Sequence, residues 1–205
     1  MKHLILTGLT VIALSSTGLA LENPATSQPA DTQPAEERPS PPTGFKWHEI
    51  REIKAAFLMP NGWHHDKLSG KGTTAYRISK EDARGGNGFL TGLTVNVVLH
   101  CKDKSNIKPS LYAVHHLKEY KEGAKVLREM ELDKIGKLTR IQMQVVKRIE
   151  SADPKIEFRI HVVAIANDET DTLYIITFGA PKADWKTAWK KGKRMVGMFI
   201  LDDDV

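Results

Sequence analysis

Apolar and polar residues alternate along several stretches of the chain, a pattern typical of β-strands with one buried side. The clearest stretch is 93–99, and the same pattern predicts two short strands within 45–58 and further strands at 75–79, 126–132, 138–149, 156–165 and 172–178. In the last of these, Tyr174, Ile176 and Phe178 alternate with Leu173 and Ile175, so both sides are apolar. We therefore expect this strand to lie at the centre of a sheet that is covered on both faces.

Two other stretches repeat apolar residues every three or four positions, which predicts amphipathic helices. The first begins near Pro109 and ends near Gly123, and the second runs from about Lys182 to Met198. Gly192 falls on the apolar stripe of the second helix, where a missing side chain would let the helix backbone approach a sheet. Hairpin-connected strands with one helix in the middle and one at the end predict an α+β domain with a largely antiparallel sheet packed by helices.

The residues before the first strand form two segments of different composition. Residues 1–20 combine a basic start, an apolar run and small residues at 18–20, which predicts a signal peptide. The alternative, a membrane anchor, would need about 20 apolar residues, and this run is shorter. Residues 21–43 contain six prolines among small, polar and acidic residues, which predicts a disordered linker or, alternatively, a proline-rich ligand for another module. We expect one folded domain over 44–205 that is periplasmic or secreted, with no transmembrane anchor after processing.

Charge and cysteine content narrow the function classes. The whole chain has a formal net charge of +5, and its acidic residues in the predicted linker leave the folded part more basic. A solvated basic surface and a contact with an anionic surface both fit this balance, whereas no nucleic-acid partner is predicted. Cys101 is the only cysteine, so no internal disulfide can form. Its expected role is that of a small buried hydrophobe rather than a nucleophile.

The familiar motifs of hydrolases, metalloproteases and dithiol redox proteins are absent from the sequence, and no cofactor is predicted. Two pairs of adjacent histidines occur, at 64–65 and at 115–116. Neither pair can bind one metal ion with both rings, because neighbouring side chains point apart in a strand and on a helix. His64 with Asp66 has the i, i+2 spacing that places both on one side of a strand. This pair is the best-spaced metal candidate, although surface histidines are the favoured interpretation and no metal site is predicted.

Two further histidines and one loop have simple structural interpretations. His161 alternates with Glu157 and Arg159 in its strand, which predicts a hydrogen-bonded histidine at the surface. His100 adjoins Cys101, but consecutive strand residues face apart, so no Cys–His dyad is expected. The glycine-rich segment 85–88 leads into a strand and lacks the lysine of a phosphate-binding loop, so we expect a mobile hairpin turn.

The second predicted helix carries the one candidate binding surface that the sequence offers. Lys186, Lys190 and Lys193 recur along one side of it, with Arg194 nearby. Cations in the later turns suit the helix dipole, and their stems can cover the edge of the tryptophan stripe. As the functional alternative, the same cations would dock an anionic partner.

Two motifs near the ends of the domain resemble the PsbP-like family, which comprises the extrinsic photosystem II subunit P and its bacterial relatives. The first is a strand that runs into Pro60-Asn61-Gly62-Trp63. The second is a strand ending at 177–181, followed by Asp184-Trp185 and an amphipathic helix. The resemblance covers about residues 45–200 and implies an α/β/α sandwich shared with a Ran-binding nuclear protein. It also implies an accessory or binding role without a shared active site.

Together these patterns predict an exported, non-enzymatic binding or adaptor protein that acts on a protein partner at the cell envelope. The concave sheet edge or the basic helix is the expected contact surface. The alternative is a periplasmic carrier that holds a small ligand or a metal in the pocket between the sheet and the helices.

Overall fold

The structure is a computed structural model that describes residues 39–70, 73–84, 88–149 and 156–201. The predicted signal peptide, most of the predicted linker, the centre of the glycine-rich turn and the predicted turn at 151–154 lie outside these residues. In chain order the described residues form β1 (Phe45–Ile50), a short 3-10 helix (Arg51–Ile53), β2 (Ala55–Pro60), β3 (His64–Gly70), β4 (Thr73–Ser79), β5 (Gly92–Val98), α1 (Cys101–Ser105), α2 (Pro109–Lys121), β6 (Lys125–Ile135), β7 (Leu138–Arg148), β8 (Glu157–Asn167), β9 (Thr172–Pro181), α3 (Trp185–Gly197) and β10 (Phe199–Leu201).

The strands build two antiparallel sheets. Seven strands pair in the order β3-β4-β5-β9-β8-β7-β6, and every neighbouring pair is antiparallel. The smaller sheet has β2 between β1 and β10. Because β6 to β9 follow one another along the chain as neighbours, short turns are sufficient to connect them.

Helices cover both faces of the large sheet, as its two apolar sides require. On one face α2 packs on β7, β8 and β9, where Ala113 and Leu117 join a core with Met143 and Phe158. On the other face α3 and the small sheet bury a second core that includes Phe178. The α+β sandwich predicted from the sequence is therefore confirmed.

β9 is the central strand of the large sheet and separates the two cores. It lies between β5 and β8, and its residues 172–176 and 178–181 are buried. Tyr174, Ile176 and Phe178 face the α3 side, whereas Leu173 and Ile175 face the α2 side. The prediction of a central strand covered on both faces is confirmed.

α3 approaches the sheet closely at its glycine. A Cβ atom built on Gly192 would lie 2.5 Å from two ring carbons of Phe178, which is closer than real Cβ contacts. Phe178 is completely buried, so its ring cannot move aside without disturbing the core. The predicted close approach of helix and sheet at Gly192 is confirmed.

Besides the short 3-10 helix, three elements were not predicted. β3 has a polar sequence because it is an edge strand with alternating exposed positions. α1 is a single short helix that depends on a distant residue, since the Asp171 carboxylate accepts a hydrogen bond from the Lys102 backbone N–H at 3.0 Å. β10 has only three residues, too few for a pattern to show.

The chain just before β1 is attached to the domain. The indole N–H of Trp47 donates a hydrogen bond to the Pro39 carbonyl at 2.8 Å, and the Phe45 N–H donates to the Pro42 carbonyl at 3.0 Å. In the part of the chain that the structure describes, none of the helices is long and apolar enough to cross a membrane.

Candidate functional site

α3 covers only part of its side of the large sheet. It packs on β9, β5 and β2, whereas β8, β7 and β6 continue beyond it. On part of these three strands the α3 side is polar, because the pairing register aligns His161 with Gln144 and Gln144 with Arg128. We call this surface the polar face and define it by Arg128, Glu131, Gln142, Gln144, Arg159 and His161.

Hydrogen bonds join the side chains of the polar face. The Arg128 guanidinium donates to both carboxylate oxygens of Glu131, at 2.8 and 2.7 Å, and Gln142 donates to the same carboxylate at 3.2 Å. The Arg159 guanidinium donates to the Gln144 side-chain oxygen at 3.1 and 2.5 Å. The hydrogen bond from Arg128 lowers the pKa of Glu131. The surface is therefore ordered and stays charged at neutral pH.

His161 lies at the inner end of the polar face and is buried, with an exposure of 4%. The prediction of a surface histidine is therefore wrong. Its physical reason is Trp189 of α3, which covers the imidazole with the two rings edge to face and their centroids 5.0 Å apart. Alternation along β8 shows which side of the sheet His161 faces, but it cannot show how far α3 reaches over that side.

Burial also changes the chemistry of His161. Desolvation, the largest cause, and the nearby positive charge of Arg128 lower the pKa of the imidazole to about 4, against a smaller opposing effect of Glu131. The ring is therefore neutral at pH 7. Its Nδ1 atom is buried without a hydrogen-bond partner among the described residues.

Two tryptophans connect α3 to the sheet. The rings of Trp185 and Trp189 stack with centroids 4.9 Å apart, and both contact Phe178 beneath them. The Arg159 guanidinium lies 4.9 Å from the centre of the Trp185 ring, a cation–π contact. Trp185 is buried in the core, whereas Trp189 is only half-buried and presents apolar surface beside the polar face.

The predicted cations of α3 divide into two groups. Lys186 lies three residues before Trp189 and Lys193 four residues after it, so both are on the same side of the helix as Trp189. Lys190 lies between them in the sequence. All three are exposed, and no ion pair involves them in the described part of the chain. We call them the lysine row.

Arg194, unlike the lysine row, contacts an aromatic ring of β1. Its guanidinium lies 5.6 Å from the centre of the Phe45 ring, and Lys191 lies 5.6 Å from that of Trp63. Binding by Lys186, Lys190, Lys193 and Arg194 together stays a prediction. Arg194 has a packing role against β1.

The metal candidate is a pair whose carboxylate is already engaged. His64 and Asp66 share one side of β3, as their spacing requires, but Asp66 forms a salt bridge with the buried Arg77. Among the residues that the structure describes, no group of three or more His, Cys, Asp or Glu side chains could hold a metal ion. That His64 and Asp66 form no metal site stays a prediction.

The remaining titratable candidates are structural. Cys101 is completely buried and burial raises the pKa of its thiol, so its predicted role as a small hydrophobe is confirmed. His100 is exposed beside it. On α2, His115 is exposed and His116 is half-buried between Tyr112 and Tyr120, and burial lowers the pKa of His116.

Comparison with known proteins finds similarity of fold only. No family model and no curated protein matches this chain. Among solved structures, the cyanobacterial PsbP of Synechocystis sp. PCC 6803 is 12% identical, with a TM-score of 0.49 over 78% of this chain and 93% of that one. The Ran-binding protein Mog1p of Saccharomyces cerevisiae is 18% identical, with a TM-score of 0.44 over 77% of this chain and 95% of that one.

Both kinds of protein that the sequence resemblance named, a PsbP and a Ran-binding protein, thus occur among the similar structures. Similarity of this degree concerns the fold and carries no conclusion about what the chain binds. The function has to be argued from the surface of this molecule.

Proposed function

We propose that the chain is an exported, non-enzymatic binding protein that holds an acidic segment of a protein partner at the cell envelope. The contact surface in this proposal is the lysine row together with Trp189 and the adjoining polar face. The observation that carries it is a row of exposed lysines that form no ion pair with the described residues and lie beside a half-buried tryptophan. The export signal predicted at residues 1–20 supports the location.

The charges of this surface favour an acidic partner. On the sheet side Arg128 is already neutralised by Glu131, and Arg159 is bound to the neutral Gln144. The lysine row adds three positive charges, and no acidic side chain among the described residues pairs with them. Complementary charge accelerates association and selects among partners more than it adds affinity.

Trp189 supplies the apolar part of the contact. Tryptophan is enriched among the residues that dominate binding energy, because a large ring covers much area at little entropy cost. Here the ring is fixed by Trp185 on one side and by His161 on another. A partner would therefore meet an aromatic surface that is already ordered, which lowers the entropy cost of binding.

Charge reversal of the lysine row tests the proposal. A photoreactive benzoylphenylalanine placed at Lys190 in the full chain should form a covalent adduct with one partner in the native cell envelope. With that partner purified, the triple variant Lys186→Glu, Lys190→Glu, Lys193→Glu should bind about 30-fold more weakly. Raising the salt concentration tenfold should weaken wild-type binding by about tenfold and the variant's much less.

The matched control reverses three exposed lysines on the α1 and α2 side, Lys102, Lys108 and Lys118, and should bind as the wild type does. The proposal is wrong if both triple variants lose affinity equally, or if the wild-type affinity does not respond to salt. Equal photoadduct yields from Lys190 and from Lys118 would contradict it as well.

A small-ligand carrier, the alternative from the sequence, has one structural observation in its favour. A cleft of about 210 Å³ opens on the same face of the large sheet as α3, but at the β3–β5 end. This cleft is separate from the polar face, since β9 lies between them in the sheet.

A further inference from the structure

The large sheet has room for one more helix beside α3. Of the described helices, α2 is the one that packs on β6 and β7, and it lies on the other face of the sheet. On the α3 side, β8, β7 and β6 continue beyond α3. Neighbouring strands lie about 4.8 Å apart, so these three strands span about 10 Å. A helix with its side chains is about 10–12 Å wide, which matches that span.

The floor of this space is the polar face, and its side chains are already ordered. Arg128 donates hydrogen bonds to Glu131 at 2.8 and 2.7 Å, and Arg159 donates to Gln144 at 3.1 Å. Gln142 is half-buried in the middle of β7 and donates to Glu131 at 3.2 Å. The two arginines and one glutamate leave the polar face with one positive charge in excess. An incoming segment therefore needs polar or acidic side chains toward the sheet.

One side of this space is formed by α3. Trp189 presents its half-buried ring there, and Lys186 and Lys193 lie on the same side of the helix. At a rise of about 1.5 Å per residue, the lysine row extends for about 10 Å along α3. Its positions are spaced as i, i+4 and i+7, which is the spacing of residues on one side of a helix. A second helix that runs alongside α3 can therefore place one acidic residue opposite each lysine.

We propose that the acidic segment of the partner is a helix that lies alongside α3 and over β7 and β6. Its acidic side faces the lysine row, an apolar residue beside the acidic ones contacts Trp189, and its polar residues face Gln142 and Arg159. Packed helices have their axes about 8–10 Å apart, so the partner helix continues the layer that α3 begins. This inference rests on the proposed function and adds the conformation and the position of the partner segment.

Two other occupants fit this space less well. A strand is only about 5 Å wide, so an extended segment can follow the lysine row or cover the polar face, but not both. A second copy of this chain lacks the required acidic side in its longer described helices, because α2 contains one acidic residue, Glu119, and α3 contains none.

A stapled peptide tests the conformation. The probe has about 15 residues, a hydrocarbon staple that holds it helical, glutamates at i, i+4 and i+7 on one side, and a leucine beside them. Its binding to the full chain is followed by fluorescence anisotropy of a label on the peptide. It should bind about tenfold more tightly than the same sequence with a central proline in place of the staple, because proline prevents the helix and leaves the ordering cost to binding.

A stapled isomer separates the effect of the acidic side from that of the staple. It carries the same glutamates distributed around the helix, so that only one of them at a time can face the lysine row. We expect it to bind about tenfold more weakly than the first stapled peptide, although net charge and helicity are equal.

Photocrosslinking tests the position. Benzoylphenylalanine at Gln142, on β7, and at Lys190, on α3, should each form a covalent adduct with the first stapled peptide. The same group at Lys118, an exposed position of α2 on the other face of the sheet, is the matched control and should form none. The adduct at Gln142 is the specific result, because a segment bound to the lysine row alone would not reach β7.

Failure of this inference and failure of the proposed function give different results. Equal affinity of the first stapled peptide and either control peptide, or an adduct from Lys190 without one from Gln142, would overturn the helix while an acidic segment still binds at the lysine row. The lysine row and the helix alongside it would both be overturned if no acidic peptide binds saturably at about 1 mM. Equal affinity of the wild type and of the triple variant Lys186→Glu, Lys190→Glu, Lys193→Glu for the stapled peptide would have the same meaning.

Discussion

Replacing Gly192 by alanine is expected to lower the free energy of unfolding by about 2 kcal/mol. The new methyl group would lie 2.5 Å from the ring of Phe178. That ring is completely buried and held by Trp185 and Trp189, so it cannot rotate away. Alanine is the better helix former by about 1 kcal/mol, and the expected loss is what remains after that gain is subtracted from the steric cost.

Gly197 at the end of the same helix is the matched control. A Cβ atom there would meet nothing within 4 Å, so Gly197→Ala should change the free energy of unfolding by less than about 0.5 kcal/mol. Urea unfolding followed by tryptophan fluorescence measures both variants. The midpoint of thermal unfolding should fall by roughly 4–8 °C for Gly192→Ala alone. Equal stabilities of the two variants would show that α3 does not press on the sheet at Gly192.

Gly192 shows what a local sequence pattern can predict. Gly192 was predicted to allow close approach because it lies on the apolar stripe of its helix, and the structure confirms this. The prediction succeeded because helical spacing fixes which residues share a face. The strand period of two residues explains in turn why β9, apolar on both sides, could be identified as the central strand.

The parts of the fold that the sequence did not reveal depend on distant residues. β3 has few apolar residues because only one edge of it is paired and much of it is exposed. α1 begins where Asp171, 69 residues away from Lys102, accepts a hydrogen bond from the backbone. Such contacts leave no periodic signal, because their partners are not neighbours in the chain.

The candidate surface was predictable only in part, because helical spacing is visible in the sequence and packing is not. Lys186, Lys190 and Lys193 repeat at helical spacing, so the row itself is visible in the sequence. Which cations of α3 contact other parts of the domain is a matter of packing, as the contact of Arg194 with Phe45 shows. The burial of His161 follows from that packing too, since the covering ring of Trp189 comes from α3.

The neutral, buried His161 makes the protein sensitive to acid. Its pKa in the folded chain is about 4, below the ordinary value of 6.5. As the pH falls below about 6.5, the unfolded chain takes up a proton at this residue before the folded chain does, so unfolding is favoured. The loss continues until the pH reaches about 4, below which both states are protonated. The difference between the ordinary pKa and the pKa in the folded chain corresponds to about 3 kcal/mol of stability, which is fully present at pH 7.

Substitution isolates this contribution from those of other groups, including His48 and His116, whose pKa values burial also lowers. The free energy of unfolding, measured by urea titration from pH 7 to pH 4, should fall about 3 kcal/mol more in the wild type than in His161→Gln. His115→Gln, at an exposed position, should retain the wild-type slope. The glutamine variant loses packing against Trp189 and should start less stable at pH 7, so the expected result is two curves that converge as the pH falls. Parallel curves for the wild type and His161→Gln would mean that the imidazole is hydrated in the folded chain and that α3 does not seal this end of the polar face.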